Sequence, residues 1–128
     1  MTTKLLYGDI TERIIGAAFE VHNTLGKGLT EKTYQNALVI RLRSTGLEVE
    51  DEKELSLFFD NAKVGDQRAD IVVDDKVIVE TKAVRKIAPE YAKKLLSTLR
   101  NTKYQLGLII NFGNSVEFQR VINTQQNK

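Results

Sequence analysis

At 128 residues, with 41% hydrophobic and 28% charged side chains, the chain has the length and composition expected of one soluble domain with its own hydrophobic core. It contains no cysteine, which removes a disulfide framework, a thiolate zinc site and a cysteine nucleophile. No apolar run is long enough to span a bilayer, so a cytoplasmic protein without membrane attachment is expected. The net charge of +2 is too small to argue for nucleic acid, but its distribution is uneven. Between Lys82 and Lys103 the cations Lys82, Arg85, Lys86, Lys93, Lys94, Arg100 and Lys103 stand against one acid, Glu90.

Residues 9–24 read as a helix, capped by Asp9 or Thr11, with Ile10, Ile14, Ala18, Val21 and Leu25 at helical spacing. Gly26 and Gly28 end it. Thr30 suits the N-cap of a second helix over 30–45, closed by Gly46, with Tyr34, Leu38 and Leu42 as its apolar stripe. Glu31 falls on that inward stripe. Compensation of the helix dipole accounts for an acid in the first turn, but not for one on the buried face.

Residues 47–82 read as a three-strand meander. Asp60-Asn61 makes the first turn, Gly65 marks a bulge, and a short polar turn at Asp74–Lys76 makes the second. Pro89 opens a third helix over 88–100, with Leu95, Leu96 and Leu99 toward the core. Two strands over 105–122 follow, the first apolar enough to be buried on both faces. The polar tail 123–128 is expected to fray. The fold class is therefore α/β, a mixed sheet flanked by helices in the order ααβββαββ, within a single domain spanning 1–128.

The chemistry concentrates in the hairpin from Arg68 to Lys82. With a three-residue turn Val73 faces Val77, Asp70 then falls opposite Glu80, and Lys82 shares the face of Glu80. A two-residue turn would shift the parity and separate the carboxylates. Two opposed carboxylates repel unless Lys82 or a divalent cation compensates, and an all-oxygen ligand set favours Mg²⁺, Mn²⁺ or Ca²⁺ over zinc. An ion on Asp70 and Glu80 could polarise a phosphoryl oxygen and lower the pKa of bound water, with Lys82 positioning that water or offsetting charge on a phosphorane. Glu31 could complete the set through water. On spacing alone a solvated hairpin face accounts for these charges at least as well. The adjoining basic segment, and a strand at Val77–Val79 too apolar for an exposed edge, favour the site. No phosphate-binding glycine loop, serine elbow or histidine pair competes with it, and the single histidine, His22, is expected to be a surface or half-buried residue.

At these residues the chain resembles a known family. Asp70 followed by Glu80-Thr81-Lys82 is similar to the D…(D/E)-x-K signature of the PD-(D/E)XK nuclease superfamily. Gly28-Leu29-Thr30-Glu31-Lys32-Thr33-Tyr34 resembles the motif of its bacterial GxxExxY branch. The likeness continues through residues 15–22, Arg68-Ala69-Asp70, residues 79–84 and residues 108–113.

The resemblance implies a restriction-endonuclease-like fold and Mg²⁺, with Mn²⁺ as a substitute, on Asp70 and Glu80. It further implies Lys82 as the catalytic lysine, Glu31 as the helix acid near the metal, and the Thr81 carbonyl as a backbone ligand. The function expected is a DNA-cleaving phosphodiesterase. A nuclease-fold protein that binds nucleic acid or regulates without cleaving is the alternative. Lys94 is expected to face the site, with Lys93, Arg85 and Lys86 as outer phosphate contacts, and cutting both strands would call for a homodimer. The chain departs from the pattern at Ala69, which replaces the signature proline, and at Thr81, usually aliphatic. It departs again at Lys94 and Thr98, where the family tends to show glutamine and tyrosine.

Overall fold

The computed structural model describes residues 5–125. Its elements are α1 (Gly8–Leu25), α2 (Glu31–Ser44), β1 (Val49–Phe59), β2 (Ala62–Val73), β3 (Val77–Lys82), α3 (Pro89–Arg100), β4 (Leu106–Phe112) and β5 (Val116–Ile122), in the order read from the sequence. The strands form one mixed sheet in the order β1-β2-β3-β4-β5, in which only β3 and β4 are parallel. The crossover through α3 makes that parallel pair and places β3 in the middle of the sheet, which is why Val77, Ile78 and Val79 are wholly buried.

The two faces of the sheet carry separate apolar layers. Ile14, Ala18, Val21, Tyr34, Leu38 and Leu42 from α1 and α2 cover Ile71, Val73, Val77, Val79, Leu108 and Ile110. Leu95 and Leu99 from α3 cover Val72, Ile78, Ile109 and Val121 on the other side. β4 is buried on both faces throughout. α3 lies directly on it at Gly107, where a Cβ would come within 2.5 Å of the Leu95 side chain.

Local chemistry sets most boundaries as the sequence indicates. The Thr30 hydroxyl accepts the Thr33 amide at the start of α2, and Gly46 turns out of the far end with φ 89°. Asp60 and Asn61 both take positive φ, giving a two-residue hairpin between Phe59 and Ala62. Leu57 faces Gly65 and Phe58 faces Lys63, so Val64 is the extra residue of a bulge beside Gly65.

Two expectations need correcting. Neither Asp9 nor Thr11 caps α1: the turn at Leu5–Gly8 starts the helix earlier, Tyr7 holds the cap position with no side-chain bond, and the buried Thr11 hydroxyl donates back to the Gly8 carbonyl. The tail does not fray at Asn123, which is buried and donates its amide to the Gln105 carbonyl; residues 126–128 lie outside the described residues.

Candidate active site

The second hairpin has a three-residue turn, Asp74–Lys76, with the Lys76 amide on the Val73 carbonyl. Val73 therefore faces Val77, Val72 faces Ile78 and Ile71 faces Val79. The next pair in that register is Asp70 and Glu80, but the ladder stops one step short of it. In place of a backbone bond, one Asp70 carboxylate oxygen (Oδ2) accepts the Thr81 amide at 2.9 Å and the Thr81 hydroxyl at 3.2 Å. The acid thus fills the wedge where β2 and β3 part. A residue's N–H and C=O point to the same edge of a strand, so the Thr81 carbonyl is turned toward that wedge too.

β1 breaks at the same level. Asp51 pairs with Ile71 and Lys53 with Ala69, while Glu52 and Asp70 between them are unpaired. Glu52 has φ 54°, a left-handed conformation that an L-residue in mid-strand adopts at a cost of about 1–3 kcal/mol. Both strands change faces here. Val49 and Ile71 pack toward α1 and α2, whereas Leu55 and Ala69 pack toward α3. Ala69 and Val72 thus lie on one face although they are three residues apart. Strict alternation forbids this, so the reset must fall at Asp70.

Glu80 sits beside Asp70, mostly enclosed, and its carboxyl is pushed up to about 8. Burial is the main cause, the Asp70 charge and a hydrogen bond with Asp70 add to it, and Lys82 pulls the other way. The Lys82 ammonium lies 4.5 Å from the centre of the Tyr91 ring on α3. Glu80, Lys82, Tyr91, Lys94, Thr98, Gln67 and Arg68 line a recess of about 50 Å³ between β2, β3 and α3. A far larger cleft, about 1060 Å³, lies around the end of α3 and the outer part of β1; it includes neither carboxylate and is apart from this chemistry.

Glu31 differs from its expected placement. It is exposed rather than buried, because the inward stripe of α2 begins with Tyr34 and Gln35, one turn later. Glu31 nevertheless lies near the hairpin. Partial burial raises its pKa, Lys82 lowers it and Asp70 raises it, so it feels both hairpin charges. Among the described residues no three acidic or histidine side chains form a ready-made ion cage, so Glu31 does not join Asp70 and Glu80 in a preformed cluster.

The Gly28…Glu31…Tyr34 spacing has a structural account. Gly28 has φ 95°, and the Tyr34 hydroxyl donates to the Gly26 carbonyl at 2.6 Å while accepting the Leu29 amide at 3.2 Å. Tyr34, stacked on Phe112 with ring centres 4.7 Å apart, thereby ties the glycine loop to the helix that carries Glu31. His22 is half-buried and donates its Nε2–H to the Gly113 carbonyl at 2.9 Å, a structural tie.

Of the expected basic contacts, Lys94 lines the recess and Lys93 does not. Arg85, Lys86 and Lys93 are exposed. Among the described residues none of Lys82, Arg85, Lys86, Lys93, Lys94 and Arg100 has a carboxylate within 4.0 Å, whereas Lys32, Lys53, Lys63 and Lys103 elsewhere are paired. Sequence reasoning missed Tyr91, Arg68 and Gln35 as neighbours of the site. Tyr91, one turn before Lys94 on α3, carried a usable helical signal; Gln35 carried none.

A comparison with curated proteins finds no match. Two solved structures are similar over most of their length. One is a crystal structure of an alkaline exonuclease from Laribacter hongkongensis, 14% identical, covering 88% of this chain and 82% of that one with a TM-score of 0.49. The other is the crystal structure of SSO0001, also 14% identical, covering 93% of this chain and 80% of that one with a TM-score of 0.50. A family model for the PD-(D/E)XK nuclease superfamily matches residues 8–121, which contain every residue of the wedge and the recess, and the chain belongs to that superfamily.

Proposed function

We propose that this chain is a metal-dependent phosphodiesterase that cleaves DNA, in the GxxExxY branch of its superfamily. The observation that carries the reading is the pairing of Asp70 and Glu80 at the end of a broken ladder, with Lys82 and Lys94 lining the same recess as Glu80. The donor set fits a hard divalent cation such as Mg²⁺ or Mn²⁺: two carboxylates, the Thr81 carbonyl turned toward them, and no sulfur. Glu31, which feels the charges of Lys82 and Asp70, contributes through water in this reading. When bound, the metal supplies Lewis acidity and a lowered pKa for coordinated water.

The chain's own groups supply the rest. Asp70 is fixed through one carboxylate oxygen by two hydrogen bonds from Thr81, beside Glu80. Glu80, which favours the protonated form near neutral pH, gives up that proton when a cation takes its place. Lys82 is held over the Tyr91 ring, where it can orient a nucleophilic water and offset negative charge at phosphorus. In this reading Lys94, which lines the recess, contacts the scissile phosphate, and the exposed Arg85, Lys86 and Lys93 contact flanking ones. The reading includes a single domain acting in the cytoplasm, with a homodimer required where both strands are cut. Among the described residues no helix is long and apolar enough to cross a membrane.

The test is cleavage of plasmid and of single- and double-stranded DNA and RNA oligonucleotides in Mg²⁺ or Mn²⁺, with Glu80→Ala alongside. Metal-dependent DNA cleavage lost in Glu80→Ala supports the reading. Cleavage unchanged in Glu80→Ala contradicts it. Lys94, at a position where the family tends to show glutamine, favours a second reading in which the site holds nucleic acid without cutting it. Salt-sensitive, metal-independent binding with no cleavage would select that one.

A further inference from the structure

Asp70 sits where β2 leaves its ordinary ladder with β1. Its backbone carbonyl lies at a level where β1 offers no ladder partner, because Glu52 has rotated into a left-handed conformation. A carbonyl left without a partner costs about 1–3 kcal/mol when buried, and less at a half-buried residue such as Asp70. The partner here comes from outside the sheet. The side-chain amide nitrogen (Nε2) of Gln35, on the second turn of α2, donates to the Asp70 carbonyl at 3.2 Å and to an Asp51 carboxylate oxygen (Oδ1) at 2.9 Å. Gln35 is 3% exposed, the only buried side chain of α2 that is not hydrophobic apart from the Tyr34 hydroxyl. It thus spans the break in both strands, gripping β1 one residue before the rotated Glu52 and β2 at the candidate acid. The Glu52 side chain is held by Lys32, also on α2, and by Arg68.

We propose that Gln35 is a positioning residue for Asp70. By replacing the missing ladder bond it stabilises the face reset that turns the Asp70 carboxylate onto the Thr81 amide and toward Glu80. Asp51 anchors the amide, so that its free N–H is directed at the Asp70 carbonyl. α2 then serves the site twice, through Glu31 near the hairpin charges and through Gln35 on the Asp70 carbonyl. The part that concerns metal rests on the reading of the site given above; the part that concerns the Asp70–Thr81 contact does not.

Two measurements separate these. The first is amide hydrogen exchange in the metal-free protein, comparing Gln35→Met with wild type. Exchange of the Thr81 amide at least tenfold faster, with the β3–β4 amides unchanged, is expected; an unchanged Thr81 rate overturns the proposal whether or not the site binds metal. The second is Mn²⁺ titration by calorimetry. Loss of a group that orients a metal ligand typically weakens binding about 10–100-fold, which is the drop expected for Gln35→Met. Should Gln35→Met fail to fold, the exposed Asp51 decides: Asp51→Ala should speed Thr81 exchange and weaken Mn²⁺, and Asp51→Asn, which keeps an accepting oxygen, should restore both. Equal behaviour of the two Asp51 variants overturns the proposal. Wild-type protein that binds no Mn²⁺, or binds it as well after Asp70→Asn, overturns the metal reading, leaving the exchange result to judge the contact.

Discussion

The Asp70 carboxylate accepts both the amide and the hydroxyl of Thr81, at 2.9 and 3.2 Å, where the β2–β3 ladder would otherwise continue. A side chain substitutes for a backbone partner and brings one acid to the next, because the neighbour of Thr81 is Glu80. Burying a carboxylate, and doing so beside a second one, is unfavourable. The raised pKa of Glu80 expresses that cost, and the first expected result follows from it.

The folded-state pKa of Glu80, about 8, exceeds its ordinary value of 4.5. The folded protein therefore holds a proton that the unfolded chain releases between these values, so this group's contribution to stability is full below about pH 4.5 and is lost as pH rises through 8. The full span is on the order of a few kcal/mol for a mostly enclosed group. In EDTA, Glu80→Gln should match wild type in thermal stability near pH 5 and exceed it increasingly toward pH 9. A stability difference constant from pH 5 to 9 would contradict the assignment.

Tyr34 makes a different kind of contribution. Its hydroxyl joins the glycine loop to α2 through the Gly26 carbonyl and the Leu29 amide. Tyr34→Phe should retain the stack on Phe112 and lose about 1–3 kcal/mol of stability. It should also loosen the turn that carries Glu31, read as faster amide exchange at residues 29–31.

Lys93 and Lys94 are neighbours in sequence but differ in placement, since only Lys94 lines the recess with Glu80 and Lys82. Lys94→Ala should lower kcat on DNA by tenfold or more. Lys93→Ala should leave kcat within about twofold and weaken binding uniformly, reducing the slope of log affinity against log salt by roughly one. Steady-state kinetics at two salt concentrations distinguish them.

The parts of this fold that local rules govern were legible in the sequence. Thr30 and Gly46 bound α2, Pro89 opens α3, and Asp60-Asn61 closes a two-residue turn, all through short-range steric or capping preferences. The three-residue turn at Asp74–Lys76 placed Asp70 level with Glu80, as the register required. What could not be read was the reset at Glu52 and Asp70. Nothing in Asp51-Glu52-Lys53 signals a positive φ, since glutamate is not a residue that favours it, and the bend depends on Gln35 from another element. Glu31 was misplaced for a related reason. Helical spacing gives the direction in which a residue points, not whether the sheet extends far enough to cover it.

The most direct test of the site is a single-turnover assay of wild type and Asp70→Asn on a labelled DNA duplex, across a Mg²⁺ titration that begins in EDTA. No cleavage in EDTA, saturable Mg²⁺-dependent cleavage by wild type, and a loss of at least a hundredfold in Asp70→Asn despite a thermal melt no lower than that of wild type are expected. Cleavage by Asp70→Asn at the wild-type rate, or by either protein in EDTA, would contradict a metal site built on the Asp70–Glu80 wedge.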